Sequence, residues 1–160
     1  MSRILALIMV AVLVVIDQAS KYAAVTYLRG AGTYVLIPGI LGLTYAENHG
    51  AAFGIMQGAR WFFVIFTIIV LGFIAYYYEK MPPIGKLYPW TRLTLLLIAG
   101  GALGNFIDRL RYGFVVDFFH ILLFRFPIFN FADIFIVVGA FGLSIIMLFA
   151  DGVNKSSQNL

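Results

Sequence analysis

Asp117 and Asp133 are the two residues from which a reaction can be built. Asp117 sits inside the apolar run Phe114-Val115-Val116-Asp117-Phe118-Phe119, and Asp133 closes Phe129-Asn130-Phe131-Ala132-Asp133. Two carboxyl groups brought together in a dry site cannot both ionise easily, so they share one proton. The ionised member of such a pair can activate water while the protonated member donates. Asp133 alone has a simpler account: an acid in the first turn of a helix is favoured by the dipole, with Asn130 three positions earlier as the N-cap. That account does not reach Asp117, which has no helix start near it in sequence.

Other polar residues recur at helical spacing. In Gly104-Asn105-Phe106-Ile107-Asp108-Arg109, Asn105 stands i, i+3 from Asp108 and i, i+4 from Arg109, so all three share a face. A buried ion network is the structural reading, with the adjacent Asp108 and Arg109 tying different neighbours. Asp17 and Lys21 are also i, i+4, for which a local ion pair is the plain option. Gly100 and Gly104 form a small-xxx-small pair that suits close helix packing. The stretch Glu47-Asn48-His49-Gly50-Ala51-Ala52-Phe53-Gly54 suits a loop approaching a site, with Asn48 as a donor to substrate backbone, or else a turn before an interfacial segment.

Several chemistries are absent from this sequence. There is no cysteine, hence no disulfide, thiolate metal site or cysteine nucleophile. His49 and His120 are the only histidines, and neither an H-E-x-x-H zinc motif nor a G-x-S-x-G nucleophile motif occurs. Carboxylate chemistry remains, and neither a metal nor a cofactor is expected.

The elements that must position these residues are membrane helices. Apolar residues make up 62% of the 160 and charged residues 11%, against about 25% charged in a soluble domain. So few charges cannot build a water-facing shell. The net charge of +4 comes from dispersed Lys and Arg, which fits interfacial anchoring and not a nucleic-acid patch. Arg3 precedes an uncharged run from Ile4 to Ile16, but Asp17-Gln18 follows where a signal peptide would have small residues, so a retained first helix is expected. Further uncharged runs are Trp61–Tyr78, Leu93–Ile107 and Ile134–Ala150. Since a span needs about 20 residues, three of the four runs reach full length only by taking in polar residues at one end. A carboxylate at mid-helix costs about 2.5–3.5 kcal/mol on insertion scales, less near the surface, and three such costs point to use.

The expected fold is therefore an all-α membrane protein with four transmembrane helices and a small β-rich cradle, forming one membrane-embedded domain over 1–160. The spans fall at about 4–28, 61–78, 92–110 and 131–150. Loops 29–60 and 111–130 lie on one side and loop 79–91, with Pro82, Pro83 and Pro89, on the other. Thr33–Ile37 and Leu41–Ala46 are rich in β-branched and aromatic residues around a Pro38-Gly39 turn signal, and Gly113–Phe126 is a candidate to join their sheet. The polar tail from Asp151 to Leu160 is expected to be disordered. This weave collects Asp17, Glu47, Asp108, Asp117 and Asp133 at one membrane face, leaving only Glu79 and Asp151 opposite. Lys and Arg divide five against six between the faces, so the positive-inside rule does not orient the protein. A proton-coupled carrier is the rival reading, but it predicts acids near the mid-plane or on both sides. A non-catalytic scaffold would tolerate loss of both aspartates.

Five blocks in order, Asp17-Gln18-Ala19-Ser20-Lys21, Glu47-Asn48-x-Gly50-Ala51-Ala52-Phe53, Gly104-Asn105-x-x-Asp108-Arg109, Val115-Val116-Asp117-Phe118 and Phe129-Asn130-x-Ala132-Asp133, together resemble the lipoprotein signal peptidases, also called signal peptidase II. The resemblance implies a bacterial plasma (inner) membrane aspartic endopeptidase with both termini cytoplasmic and its site at the outer face. Its substrates would be prolipoproteins carrying a diacylglyceryl cysteine, cut just before that cysteine. The family's catalytic pair falls on Asp117 and Asp133, and its supporting polar residues on Asp17, Lys21, Asn48, Asn105, Asp108, Arg109 and Asn130. Gly50 belongs to a matched block and is grouped with them. His49 falls where the family varies. Membrane lipids and the prolipoprotein are the implied partners, with no nucleic acid and a monomer expected.

Overall fold

A computed structural model describes residues 2–50, 55–81 and 87–157, with side chains as far as Leu148. Ala51, Ala52 and Phe53 of the second block, and Pro82 and Pro83 of the short connection, lie outside the described residues. The order of elements is α1 (Arg3–Leu28), β1 (Thr33–Ile37), β2 (Leu41–Asn48), α2 (Arg60–Lys80), α3 (Tyr88–Arg111), β3 (Val115–Ile121) and α4 (Phe131–Ser157). All four helices are long and apolar enough to cross a membrane. Even α2, with 21 residues, spans about 32 Å at 1.5 Å per residue, the thickness of a hydrocarbon core.

Helix α3 is the centre of the bundle. Half of its apolar stretch is buried, against at most 17% in the other three, and it packs against α1, α2 and α4. Its small residues allow this. A methyl group added at Gly100 would meet the Leu13 side chain of α1, one at Gly101 would overlap the Ala132 carbonyl of α4, and one at Gly104 would overlap the Asp17 carboxylate. Gly100 and Gly104 thus serve close packing as expected, but Gly104 makes room for a charge and not merely for a backbone. The outward faces carry exposed Leu7, Val15, Phe66, Phe73, Val137 and Phe141, a surface for lipid and not for water.

The sheet is antiparallel with order β1-β2-β3. Gly39, at φ +70°, turns the β1–β2 hairpin. Strand β2 continues two residues beyond the expected Ala46, to Asn48, because β3 pairs with it to the end: Glu47 lies opposite Val116 and Asn48 opposite Val115. β1 is exposed throughout, whereas Val115, Val116, Asp117 and Phe118 of β3 are buried in succession. The chain then turns back, and the Phe129 carbonyl accepts from the backbone N–H groups of Phe118 and Phe119 at 3.0 and 2.8 Å. That return carries α4 to the middle of β3.

Two helix boundaries differ by several residues from expectation. Tyr88 to Thr91, expected in a loop, is the first turn of α3, with Pro89 at a first-turn position where its missing N–H is no loss. α4 runs through Ser157, so the segment expected as a disordered tail is helical from Asp151 to Ser157.

The close approach of α3 and α4 is testable. Gly101→Ala should lower stability by about 1–3 kcal/mol through overpacking. Gly72→Ala, which meets nothing within 4 Å, should change it by less than about 1 kcal/mol. Thermal melting of the purified variants in detergent checks both, and equal melting temperatures would contradict the packing described.

Candidate active site

The polar residues of α1 and α3 meet in the core. The Lys21 ammonium contacts Asp17 Oδ2 at 2.9 Å, Asp108 Oδ2 at 3.1 Å and Asn105 Oδ1 at 2.8 Å. All four side chains are buried, Asp17 completely. Charges so placed are tolerable only when paired and fully hydrogen-bonded, and the remaining lone pairs are satisfied. Asp17 Oδ1 accepts from the Ala132 N–H at 3.0 Å and Asp108 Oδ2 from the Val116 N–H at 3.0 Å. The Gln18 amide donates to Asp108 Oδ1 at 2.9 Å, and to Asp17 Oδ2 and the Gly104 carbonyl at 3.2 Å each. What the spacing suggests as a local Asp17–Lys21 pair is therefore the hub that joins α1, α3, β3 and α4.

Asn130 carries the arrangement to the two outer carboxyls. Its side-chain carbonyl accepts from the Asp133 N–H at 3.0 Å, while Asp133 Oδ2 accepts from the Asn130 N–H at 3.2 Å. This reciprocal pair caps α4 and satisfies two orphan donors. The Asn130 side-chain NH2 group donates to Asp117 Oδ1 at 2.6 Å, and more weakly to Asn105 Oδ1 at 3.2 Å and the Val116 carbonyl at 3.4 Å. The same asparagine thus touches Asp117 and Asp133. The Asn105 NH2 donates to Asp133 Oδ1 at 2.8 Å, and that of Asn48 to Asp117 Oδ2 at 3.0 Å. Helix capping, proposed as a simple account of Asp133, is real. It coexists with a link to Asp117, because the cap itself reaches β3.

Asn48 and Gly50 are placed differently from a free substrate loop. Asn48 serves Asp117, and its side-chain carbonyl accepts from the Gly50 N–H at 3.0 Å. The Gly50 carbonyl accepts from the Arg109 guanidinium at 3.1 Å, which also lies 4.7 Å over the Phe63 ring of α2. Asp108 and Arg109, adjacent in sequence, do tie different neighbours. Glu47 turns away, taking the Tyr45 hydroxyl at 2.8 Å and Arg29 at 3.4 Å. Burial and this carboxylate push the Tyr45 hydroxyl up to about 12. His49 lies 3.8 Å from Glu47 and outside the polar hub. Among the described residues, no group of three His, Asp or Glu side chains is placed to hold a metal ion. Gln18 is the contributor that spacing did not reveal. Its only signal is a second polar residue beside Asp17 within a span.

A cavity of about 650 Å³ opens beside Asp133. Asn48, Gly50, Asn105, Arg109 and Asp133 form its polar end, while Phe66, Thr67 and Val70 of α2, Ile98 and Ala102 of α3, and Ile134 and Val137 of α4 form its apolar walls. Burial first, and the Asp133 charge second, push the Asp117 carboxyl up to about 7, against the opposing donors Asn48 and Asn130.

Four membrane-length helices around a buried ionic hub, with two linked carboxyls beside an apolar cleft, define a multi-pass membrane protein of enzymatic type. Two solved bacterial membrane enzyme structures, determined in meso at 2.3 and 1.9 Å, share the fold. The first has a TM-score of 0.82 at 37% identity, covering 94% of this chain and 90% of its own. The second has a TM-score of 0.78 at 35% identity, covering 89% and 92%. Lipoprotein signal peptidases of Streptococcus pyogenes serotypes M2 and M1 are each 46% identical over 127 residues, spanning 79% of this chain and 82% of theirs. The chain belongs to the signal peptidase (SPase) II family, whose pattern it matches over residues 9–149. It is accordingly a membrane peptidase of lipoprotein processing.

The raised Asp117 carboxyl has a consequence for stability. Between its ordinary value of 3.8 and about 7, the folded protein holds a proton that the unfolded chain has released. Stability therefore falls as pH rises through that window, by roughly 4 kcal/mol in all. The melting temperature should drop from pH 5 to pH 8, and Asp117→Asn should make that slope shallower. Parallel slopes for the two proteins would contradict a protonated, buried Asp117.

Proposed function

We propose that the protein is an aspartic endopeptidase that removes signal peptides from diacylglyceryl-modified prolipoproteins, cutting the peptide bond before the lipidated cysteine. The observation that carries this reading is the double attachment of Asn130, 2.6 Å from Asp117 Oδ1 through its side chain and 3.2 Å from Asp133 Oδ2 through its backbone. One residue so placed holds the two carboxyls in a fixed relation, as a shared-proton pair requires.

In this mechanism Asp117 carries the proton. Its carboxyl is pushed up to about 7, while Asp133 sits in the first turn of α4, where the helix N-terminus favours the charged form. Asp133 takes a proton from water, and the water oxygen bonds to the carbonyl carbon of the residue before the lipidated cysteine. Asp117 gives its proton to the carbonyl oxygen, producing a neutral tetrahedral diol. Asp133 then returns the first proton to the departing nitrogen and the C–N bond breaks. The diol's second proton goes back to Asp117, leaving a new carboxyl group and a free cysteine amine. The pair titrates as a unit, so the two roles belong to the pair's resting microstate.

The apolar cleft between α2 and α4 supports the substrate assignment. It reaches Asp133 from the side of the bundle, where a lipid-borne substrate can arrive without leaving the bilayer. Diacylglyceryl chains would lie along Phe66, Val70 and Val137, with the peptide crossing the polar end near Asn48. On this reading the protein sits in the bacterial inner membrane as a monomer, with both termini cytoplasmic and the carboxyl pair at the outer face.

Asp117→Asn and Asp133→Asn should each lower cleavage of a diacylglyceryl prolipoprotein peptide by at least about 10³-fold, the scale of losing an essential acid or base. Membrane insertion and yield should be unchanged. Purified variants assayed by mass spectrometry of the products decide the matter, and substantial turnover by either variant removes the dyad.

A further inference from the structure

Lys21 has three N–H donors and no acceptor. Each donor meets one oxygen: Asp17 Oδ2 at 2.9 Å, Asp108 Oδ2 at 3.1 Å and Asn105 Oδ1 at 2.8 Å. The residue is 3% exposed, so water cannot substitute for any of them. Asn105 must therefore turn its side-chain carbonyl towards Lys21. An amide has two ends, and its NH2 group is then directed the other way, to Asp133 Oδ1 at 2.8 Å. Reversing the amide would set an NH2 against an ammonium and a carbonyl against a carboxylate at the same time. Asn130 also donates to Asn105 Oδ1, but at 3.2 Å, from an NH2 group that is 2.6 Å from Asp117 and 3.4 Å from the Val116 carbonyl. Two hydrogens spread over three acceptors hold weakly, whereas the ammonium contact is short and charge-assisted.

We infer that Lys21 is a positioning residue that acts on the reaction through the Asn105 amide, forcing its NH2 group onto Asp133. Lys21 lies one residue removed from the carboxyl it governs and touches neither Asp117 nor substrate in the proposed mechanism. The inference rests on the reading of Asp117 and Asp133 as the catalytic pair. Its chemistry is that of a fixed donor: the bond orients the Asp133 carboxyl and leaves its remaining lone pairs for water. An amide free to rotate would spend part of its time presenting an oxygen to Asp133 and repelling it.

A double-mutant cycle on kcat tests this, with Lys21→Met and Asn105→Leu assayed singly and together on a diacylglyceryl prolipoprotein peptide. Each single change should lower kcat by roughly 10- to 100-fold, the scale of one hydrogen bond to a charged group, with KM within about twofold for Lys21→Met, because Lys21 lies outside the cleft. Once Asn105 is Leu, adding Lys21→Met should cost less than about twofold more. Equal factors in both backgrounds would show a general structural role and overturn the inference, as would full activity of either single variant. Lys21→Met leaves Asp17 and Asp108 short of a cation, so the cycle is repeated with Asp108→Asn present throughout, which restores the charge balance. Asp133→Asn is assayed alongside. If it turns over normally, the catalytic reading itself fails; if it is inactive while the cycle is additive, only the role of Lys21 fails.

Discussion

Burying one ammonium between two carboxylates inside a membrane bundle is the constraint from which the rest of the structure follows. Each charge at that depth costs several kcal/mol unless paired and hydrogen-bonded, and no single helix can satisfy all three. Asp17 therefore takes a backbone N–H from α4, and Asp108 takes one from β3. Those two bonds fix where α4 begins and where β3 crosses the end of the bundle. Removing α1, α3 or α4, or shifting β3 by one residue, would leave a buried charge short of a partner, so the hub specifies the arrangement as well as stabilising it. The glycines of α3 are the steric side of the same constraint, since a larger residue at 104 would occupy the place of the Asp17 carboxylate.

The sheet is a positioning device for the outer pair. Pairing β2 with β3 in register, Glu47 against Val116 and Asn48 against Val115, brings the Asn48 amide to Asp117. The bridge between Phe119 and Phe129 then returns the chain along β3, so that the cap of α4 falls beside the same aspartate. Side chains far apart in sequence meet because backbone pairing leaves them no other place. The three-strand sheet is small, yet its buried edge decides the geometry of the carboxyls.

Much of this was legible in the residues themselves. Four apolar runs and a shortage of charge demand a membrane bundle, and the β-branched stretches around Pro38-Gly39 mark the hairpin. Helical spacing puts Asp17 with Lys21 and Asn105 with Asp108, because i, i+3 and i, i+4 positions share a face whatever the tertiary structure. The partnership between those two faces was not legible, since it depends on how α1 and α3 cross. Gln18 was missed for that reason: its three acceptors come from Asp17 and from α3, and nothing local marks it as a bridge. The bond from Asn48 to Asp117 is a consequence of strand register that single-chain periodicity does not contain. The helical start at Tyr88 was hidden by Pro89, which reads as a loop residue until its place in the first turn is known.

Helix α2 stands apart from this logic, and the separation has a functional meaning under the proposed reaction. Among the described residues it contributes no atom to the ionic hub. Its polar ties to α3 include an Arg60 guanidinium on the Leu110 carbonyl at 2.7 Å, the Arg92 guanidinium on the Tyr78 carbonyl at 3.0 Å and the Arg109 guanidinium over Phe63. The side-chain and cap hydrogen bonds described for the two carboxyls come from β2, α3 and the cap of α4, so under the proposed reaction α2 supplies only a wall of the cleft to the lipid chains. Arg109 is where the two halves join. It leaves α3 one residue after Asp108, grips the Gly50 carbonyl at the end of the Asn48 segment, and rests on α2. A substrate pressing on α2 would be felt at Arg109 through the Phe63 ring, and one pressing on that segment at Asp117 through Asn48. Under that reaction, carboxyls held by one set of elements would meet a lipid-borne substrate along a wall that another element supplies.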